Sequence, residues 1–469
     1  MTQIAVIAAF LVLAFEGEVD ALRVGPLWAT LIAWAWPILG GLALALVSRR
    51  AARGLDRRGA AQWIPVMHGA ASLYVLIAVA NHAVSVVLIG WLGAARAFVG
   101  DLVLIDELIA LAPVAFALTV SFAARYPIER RIKEATLFRR LDEGAPIHPI
   151  PGPARHVALA WRHQVLFMAV PLVAISAWAE TTEIIVGRYG LGAMTMSLMQ
   201  LVGALGVFVA APLAIRHIWD TVPLREGPLY NRIRAMATRH KVRMSGLLVW
   251  RTGGSIVNAA VTGLSPTLRY VVFSDALLER FELPQIEAVA AHEFAHVKRR
   301  HLLWMAGGVL AVVAIAGTIA GWAALLLPVS GDVGFAIAGG VTLVATLLGL
   351  GVVSRRFEWQ ADAFAVSDFT RRYTSDGIVD PISIGEMSRA LDLVSSLNGI
   401  PRDKFSWRHG SISERQRRLR SLEGRHVSRL PVDRDAMIVK LCILVGLLAG
   451  GVCVAIDAVM VGVLTAPPA

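Results

Sequence analysis

The chain has 469 residues, 56% of them hydrophobic, and a mean hydropathy of +0.63. A soluble domain averages about 45–50% apolar residues, and the excess here falls in nearly uncharged blocks of roughly 17–25 residues, the length of a bilayer-crossing helix. This excludes an ordinary soluble enzyme, a disordered chain and a secreted disulfide scaffold. The net charge of +11 reads as basic cytosolic loops and calls for no nucleic-acid partner.

The first apolar stretch, Ile4–Phe15, is short. No small-residue cleavage site follows it, whereas Glu16, Glu18 and Asp20 do, so the segment is expected to be retained, half-buried or as a ninth span. Candidate spans are Pro26–Val47, Ile64–Leu92, Leu102–Ala123, Val165–Ala179, Leu191–Ile215, Leu302–Leu327, Gly334–Val353 and Leu441–Leu464. Arg49, Arg50, Arg53, Arg57 and Arg58 follow the first of these, and a second basic loop runs from Arg125 to His163. The short loops between hold only Arg23, Arg96 and Arg188. The two basic loops therefore face the cytosol. Counting spans forward puts residues 216–301 and 354–440, both basic, on the same side.

Asn81, His82, Asp101, Asp106, Glu107 and Asp457 fall in or beside spans, where they line a wet chamber or pair between helices; the three acids near 101–107 read as interfacial. Tryptophans such as Trp28, Trp63, Trp91, Trp178 and Trp304 near span ends form an interfacial belt. Cys442 and Cys453 lie about 16 Å apart along one helix, too far to bridge, and are expected to pack. The stretch 144–153 (GAPIHPIPGP) is a rigid linker.

Beyond the fifth span the pattern changes. Tyr230–His240 reads as an amphipathic helix. Leu247–Trp250, Ser255–Val261 and Tyr270–Phe273 read as strands between glycine turns, and Pro284–Arg300 as a helix. That last helix carries His292-Glu293-Phe294-Ala295-His296. Histidines four apart share one helix face, about 6 Å apart at Cβ, and two imidazoles so placed can hold one Zn²⁺ at about 2.0–2.1 Å. Glu293 stands one position on, close enough to hold a water at the metal. Such a motif arises by chance in a chain of this composition with a probability on the order of one per cent. The competing account is a basic interfacial helix with Lys298, Arg299, Arg300 and His301 at headgroup level; it leaves Glu293 between two histidines unexplained.

A hydrolytic site needs a third protein ligand. Two spans joined by a short turn separate His296 from Glu358, so the hairpin returns Glu358 to the membrane face it left. Asp362, one turn on, is placed to accept a hydrogen bond from a ligating histidine. The competing account pairs Glu358 and Asp362 with Arg355 and Arg356. His301, five residues past His296, falls about 140° round a continuous helix and reads as interfacial. His148, His156, His163, His217, His240 and His426 read as surface groups.

These motifs resemble the integral-membrane zinc metallopeptidases that include HtpX heat-shock proteases and CAAX prenyl endopeptidases. The sequences 249–254 (VWRTGG) and 257–263 (VNAAVTG) look like that family's strand beside the active site, and 270–278 (YVVFSDALL) like its next strand and helix start. His409-Gly410-Ser411 with Arg415 resembles its His-Pro-Ser…Arg motif, with Gly410 where the family has proline. The likeness covers about Leu224–Leu422, and the last span lies beyond the usual ending. It implies a gluzincin-type α+β domain with His292, His296 and Glu358 as ligands of one Zn²⁺ per chain and Glu293 as general base. His409 would stabilise the oxyanion, and Asn258 and Arg415 would grip a peptide added along Ser255–Val261.

The expected protein is a mainly α-helical multi-span membrane protein, with about eight or nine transmembrane helices and a cytosol-facing zinc protease domain. Residues 1–222 form a membrane domain, 223–436 the peptidase interrupted by a membrane hairpin at 302–353, and 437–469 a last transmembrane helix. Substrates are membrane proteins or membrane-associated peptides, and the compartment is a bacterial inner membrane. The alternatives are a transporter or channel with a metal-binding cytosolic domain, which calls for more mid-span charges than are present, and an inactive scaffold, which calls for a broken motif.

Overall fold

The computed structural model describes residues 2–465, apart from 14, 16–21, 23, 57–61, 143, 145 and 330. Glu16, Glu18, Asp20, Arg23, Arg57, Arg58 and, within the linker, Ala145 thus lie outside the described residues. The chain forms two compact units, Met1–Asp220 and Thr221–Ala469.

The first unit is helical: α1 (Thr2–Leu13), α2 (Pro26–Leu55), α3 (Trp63–Ala83), α4 (Trp91–Val99), α5 (Ile105–Asp142), α6 (Pro153–Ala160), α7 (Phe167–Tyr189) and α8 (Ala193–Ile218). Alanines let its helices approach closely: Ala51, Ala71, Ala78 and Ala117 are all buried in one core with Met67, Tyr74 and Phe122. At 12 residues, α1 is about 18 Å long, short of a full crossing. Asn81 and Asp106 pair between helices. Asn81 Nδ2 donates to Ala33 O at 3.0 Å, and Arg96 Nε meets Asp106 Oδ2 at 2.8 Å. Asp106, expected at the interface, is fully buried because that arginine neutralises it.

The second unit opens with β1 (Thr221–Pro223), α9 (Pro228–Arg239), β2 (Gly246–Trp250), β3 (Ala259–Thr262), β4 (Tyr270–Ser274), α10 (Asp275–Arg280) and α11 (Leu283–Lys298). It continues with α12 (His301–Ala324), α13 (Gly331–Tyr373), α14 (Pro381–Leu397), α15 (Ile412–Arg420) and α16 (Pro431–Thr465). The sheet order is β1-β2-β4-β3. β2 and β4 run parallel, with Leu248 opposite Val272, and the other pairs are antiparallel. β3 is thus an edge. It is shorter than the sequence suggests because Thr252 Oγ1 accepts from Ser255 N and Ile256 N at 3.2 and 3.3 Å, and Asp275 holds that threonine in a loop, accepting from Thr252 Oγ1 at 2.5 Å and Gly253 N at 2.8 Å. Gly253 and Gly254 hold φ of 65° and 70° there, outside any strand.

Among the described residues, eight helices are long and apolar enough to cross a membrane, and they match the eight candidate spans in order. α13 has 43 residues, about 64 Å, roughly twice the hydrocarbon thickness of a bilayer. Its apolar first half returns antiparallel to α12. Its second half is buried against α11 and α14 in a core with Phe273, Phe294, Trp359 and Phe369. Cys442 and Cys453 are free thiols on α16; Cys442 is exposed on an apolar helix face, not packed.

Candidate metal centre

α11 starts with a reciprocal cap: Gln285 Oε1 accepts from Glu282 N at 2.9 Å, the Glu282 side chain accepts in return, and Pro284 sits in the first turn. The helix lies close to its neighbours because Ala288, Ala290, Ala291 and Ala295 present no bulk. This fixes the face that carries His292 and His296. Their rings are 5.0 Å apart, and their Nε2 atoms 3.2 Å.

Across from them, α13 presents Glu358. Its Oε2 lies 3.6 Å from His292 Nε2, and its Oε1 lies 3.7 Å from His296 Nε2. Three atoms bound at about 2.0–2.1 Å to one tetrahedral ion stand about 3.3–3.4 Å apart, so these side chains already enclose a space of the right size. The donor chemistry fits too. Two imidazole nitrogens and a carboxylate converge, a donor set that suits a zinc ion.

Behind these three side chains, Asp362 Oδ1 lies 2.9 Å from His292 Nδ1. Burial works against a charge on His292, but the Asp362 bond and charge outweigh it and hold that imidazole above its ordinary value. Burial wins at His296, pushed down to about 4. Burial also pushes Glu293 up to about 7, against the pull of His292. Glu293 Oε2 accepts from Val261 N on the edge strand at 3.1 Å, which aims the carboxyl at the space beside the ligands.

His409 Nδ1 stands 3.1 Å from Glu358 Oε1, with half its side chain exposed. Its loop closes through Gly410 N to Ser406 O at 2.8 Å, with Gly410 at φ 73°. Proline, locked near −65°, cannot take that position, so the departure from the family motif is a different turn that still delivers the histidine. Arg415 is placed otherwise than expected. It is buried, with Nε and Nη2 on Asp362 at 2.8 and 2.6 Å, and Nη1 3.5 Å from Glu358 Oε2. Those two carboxylates hold it above its ordinary value despite burial. A guanidinium so engaged braces Asp362 and is not free to grip peptide. Asn258 is exposed just before β3.

Two contributors were not legible in sequence. Asn398 holds both backbone groups of Val257, accepting from N at 3.1 Å and donating to O at 2.8 Å, and so anchors the approach to the edge strand. His301, read as interfacial, is fully buried with Nδ1 3.0 Å from His296 Nδ1. The reason is Arg300, whose left-handed φ of 56° breaks the helix and swings His301 back. His156 and His240, read as surface groups, are also buried.

A helix-borne His-Glu-x-x-His pair, a glutamate on a second helix and long apolar helices define a membrane metallopeptidase. Residues 223–423, the part of the chain that carries this site, match the model of peptidase family M48. The crystal structure of S. mikatae Ste24p is similar at a TM-score of 0.38 and 15% identity, over 83% of this chain and 98% of that one. No curated protein matches the chain.

Proposed function

We propose that this protein is a zinc endopeptidase that cuts membrane proteins or membrane-associated peptides at the cytosolic face of a bacterial inner membrane. The observation that carries the reading is the convergence of His292, His296 and Glu358, with Glu293 aimed beside them by Val261. One Zn²⁺ per chain fits the two nitrogens and one carboxylate better than the oxygen-only sets of magnesium or calcium. When bound, zinc supplies a Lewis acid that polarises the scissile carbonyl and acidifies water.

The protein's own groups do the rest. Glu293 takes the proton of the attacking water and returns it to the leaving amine. His409, half-exposed above Glu358, donates to the oxygen that gains charge. The substrate lies along β3 as an added strand. β3 is the edge of the sheet, and Asn258 grips the peptide where it enters. Asp362 holds the tautomer of His292, and Arg415 holds Asp362. The basic residues Lys298, Arg299, Arg355 and Arg356 stand at the site's end of the hairpin, which supports cytosolic placement.

The test is Glu293→Gln in the full-length protein. It should lower peptide cleavage by at least about 10²–10⁴-fold while the purified protein keeps its zinc, and it should trap uncut membrane substrates. Wild-type turnover by that variant would discard the mechanism, and purified wild type with another metal and no response to zinc would discard the cofactor.

A further inference from the structure

Two histidines do the same work in this centre, yet their supports differ. His292 turns Nδ1 to a carboxylate. His296 turns Nδ1 to another imidazole, His301, at 3.0 Å. Beyond His301 a chain of polar contacts continues. His301 Nε2 lies 2.9 Å from Gln360 Oε1, and Gln360 Nε2 donates to Asp433 Oδ1 at 2.5 Å. Asp433 stands in the first turn of α16 and is held from the other side by Arg299 Nη2 at 3.1 Å. α16 packs along α12, and its Lys440 Nζ donates to Arg299 O at 3.1 Å.

The polarity of this chain follows from chemistry. A carboxylate facing Arg299 accepts, so the Gln360 atom facing Asp433 is its NH₂. The other end of the amide is then the oxygen, which accepts from His301 Nε2–H. A neutral imidazole with its proton on Nε2 has a bare Nδ1, and that bare nitrogen accepts from His296 Nδ1–H. His296 is left with a bare Nε2, the atom that faces His292 and Glu358.

Resting on the metal-centre reading, we infer that His301, Gln360 and Asp433 form a relay that fixes the tautomer and aim of His296, so that α16 completes the metal centre. His301 is a positioning residue: it acts on the metal through His296. The fold provides for it, since Arg300 accepts a strained left-handed backbone at the α11–α12 junction to return the imidazole. Phe357 stacks on its ring at 4.4 Å and 3°. That stacking also supplies the competing account, a histidine that merely fills the core.

The two accounts separate on zinc affinity, measured for the full-length protein in detergent by competition with a chelating dye. His301→Phe keeps bulk and stacking but removes the acceptor. It should weaken zinc binding about 10–100-fold, the usual loss for an outer partner of a metal ligand, while the metal-free protein melts near wild type. His301→Asn sets a carbonyl oxygen close to the lost Nδ1 and should recover part of the affinity. Asp433→Ala, which touches neither histidine, should shift affinity in the same direction as His301→Phe. Wild-type zinc affinity in both His301→Phe and Asp433→Ala overturns the relay, as does His301→Asn binding no better than His301→Phe. If His301→Phe does not fold, Asp433→Ala alone decides by the same criterion. A wild-type protein that binds no zinc fails differently: it overturns the metal centre itself.

Discussion

Helix α13 carries two buried histidine–aspartate pairs, six residues apart, and only one belongs to the metal centre. At Asp362 the partner is His292, whose second nitrogen turns into the ligand cluster. At Asp368 the partner is His240, at 2.7 Å. There Arg239 and Arg372 also reach Asp368, at 3.3 and 3.0 Å, and Arg372 continues to Glu287 on α11 at 2.8 Å. Both clusters tie α13 to another helix. In the second, both carboxylates, Asp368 and Glu287, face arginines, so no ligand atoms converge on an open space there. In the first, two imidazole nitrogens and a carboxylate converge on one small space, each offering a ligand atom. Buried charge alone therefore does not mark a site; unspent coordination does.

The comparison breaks most sharply at Glu358. Glu358→Ala removes one of three ligands, and metal analysis of the purified variant should find zinc at background with cleavage abolished. Wild-type zinc occupancy would take Glu358 out of the ligand set. Asp368→Asn should do the reverse. Removing one charge from a buried network costs about 3–5 kcal/mol, so the melting temperature should fall by several degrees. Zinc content per folded molecule should hold. Zinc loss in a folded Asp368→Asn variant would mean that the two clusters are not separate.

Asp362→Asn sharpens the contrast with the same chemical change one cluster away. It keeps a carbonyl oxygen for His292 but gives up the charge that Arg415 braces, and zinc affinity should drop about 10–100-fold. If that variant lost stability but not affinity, Asp362 would be a second Asp368.

The two clusters also show what the sequence could reveal. The grouping of His292, His296 and Glu358 was legible because a four-residue spacing and a hairpin that must return impose geometry with no tertiary knowledge, and the eight apolar helices were legible because a bilayer demands length and apolarity. His301 was not, since a periodic argument assumes an unbroken helix and Arg300 breaks it with a backbone turn that no residue type announces. His240 was not, because its partner lies 128 residues away. Arg415 sat in the right motif with the wrong expectation attached: nothing local says that its fork closes on Asp362 and not on a peptide. β1, three residues long, carries too little pattern to read.

The smallest expected effect concerns α14, which packs on α11 and carries Asn398 just past its end. Its N-cap is Asp380, whose Oδ1 accepts from Ile382 N and Ser383 N at 2.9 and 3.0 Å. Burial works in the other direction, but the Ser383 hydroxyl and these N–H groups together outweigh it and hold the carboxyl below its ordinary value of 3.8. Asp380→Ala should cost about 1 kcal/mol at neutral pH and leave zinc affinity alone. A carboxyl lowered in the folded state contributes stability that is present above its unfolded value and fades as pH falls through the folded one. The melting gap between wild type and Asp380→Ala should therefore close in acid, at pH values below 3.8. A gap that stays constant there would show that the cap acts by shape and not by charge.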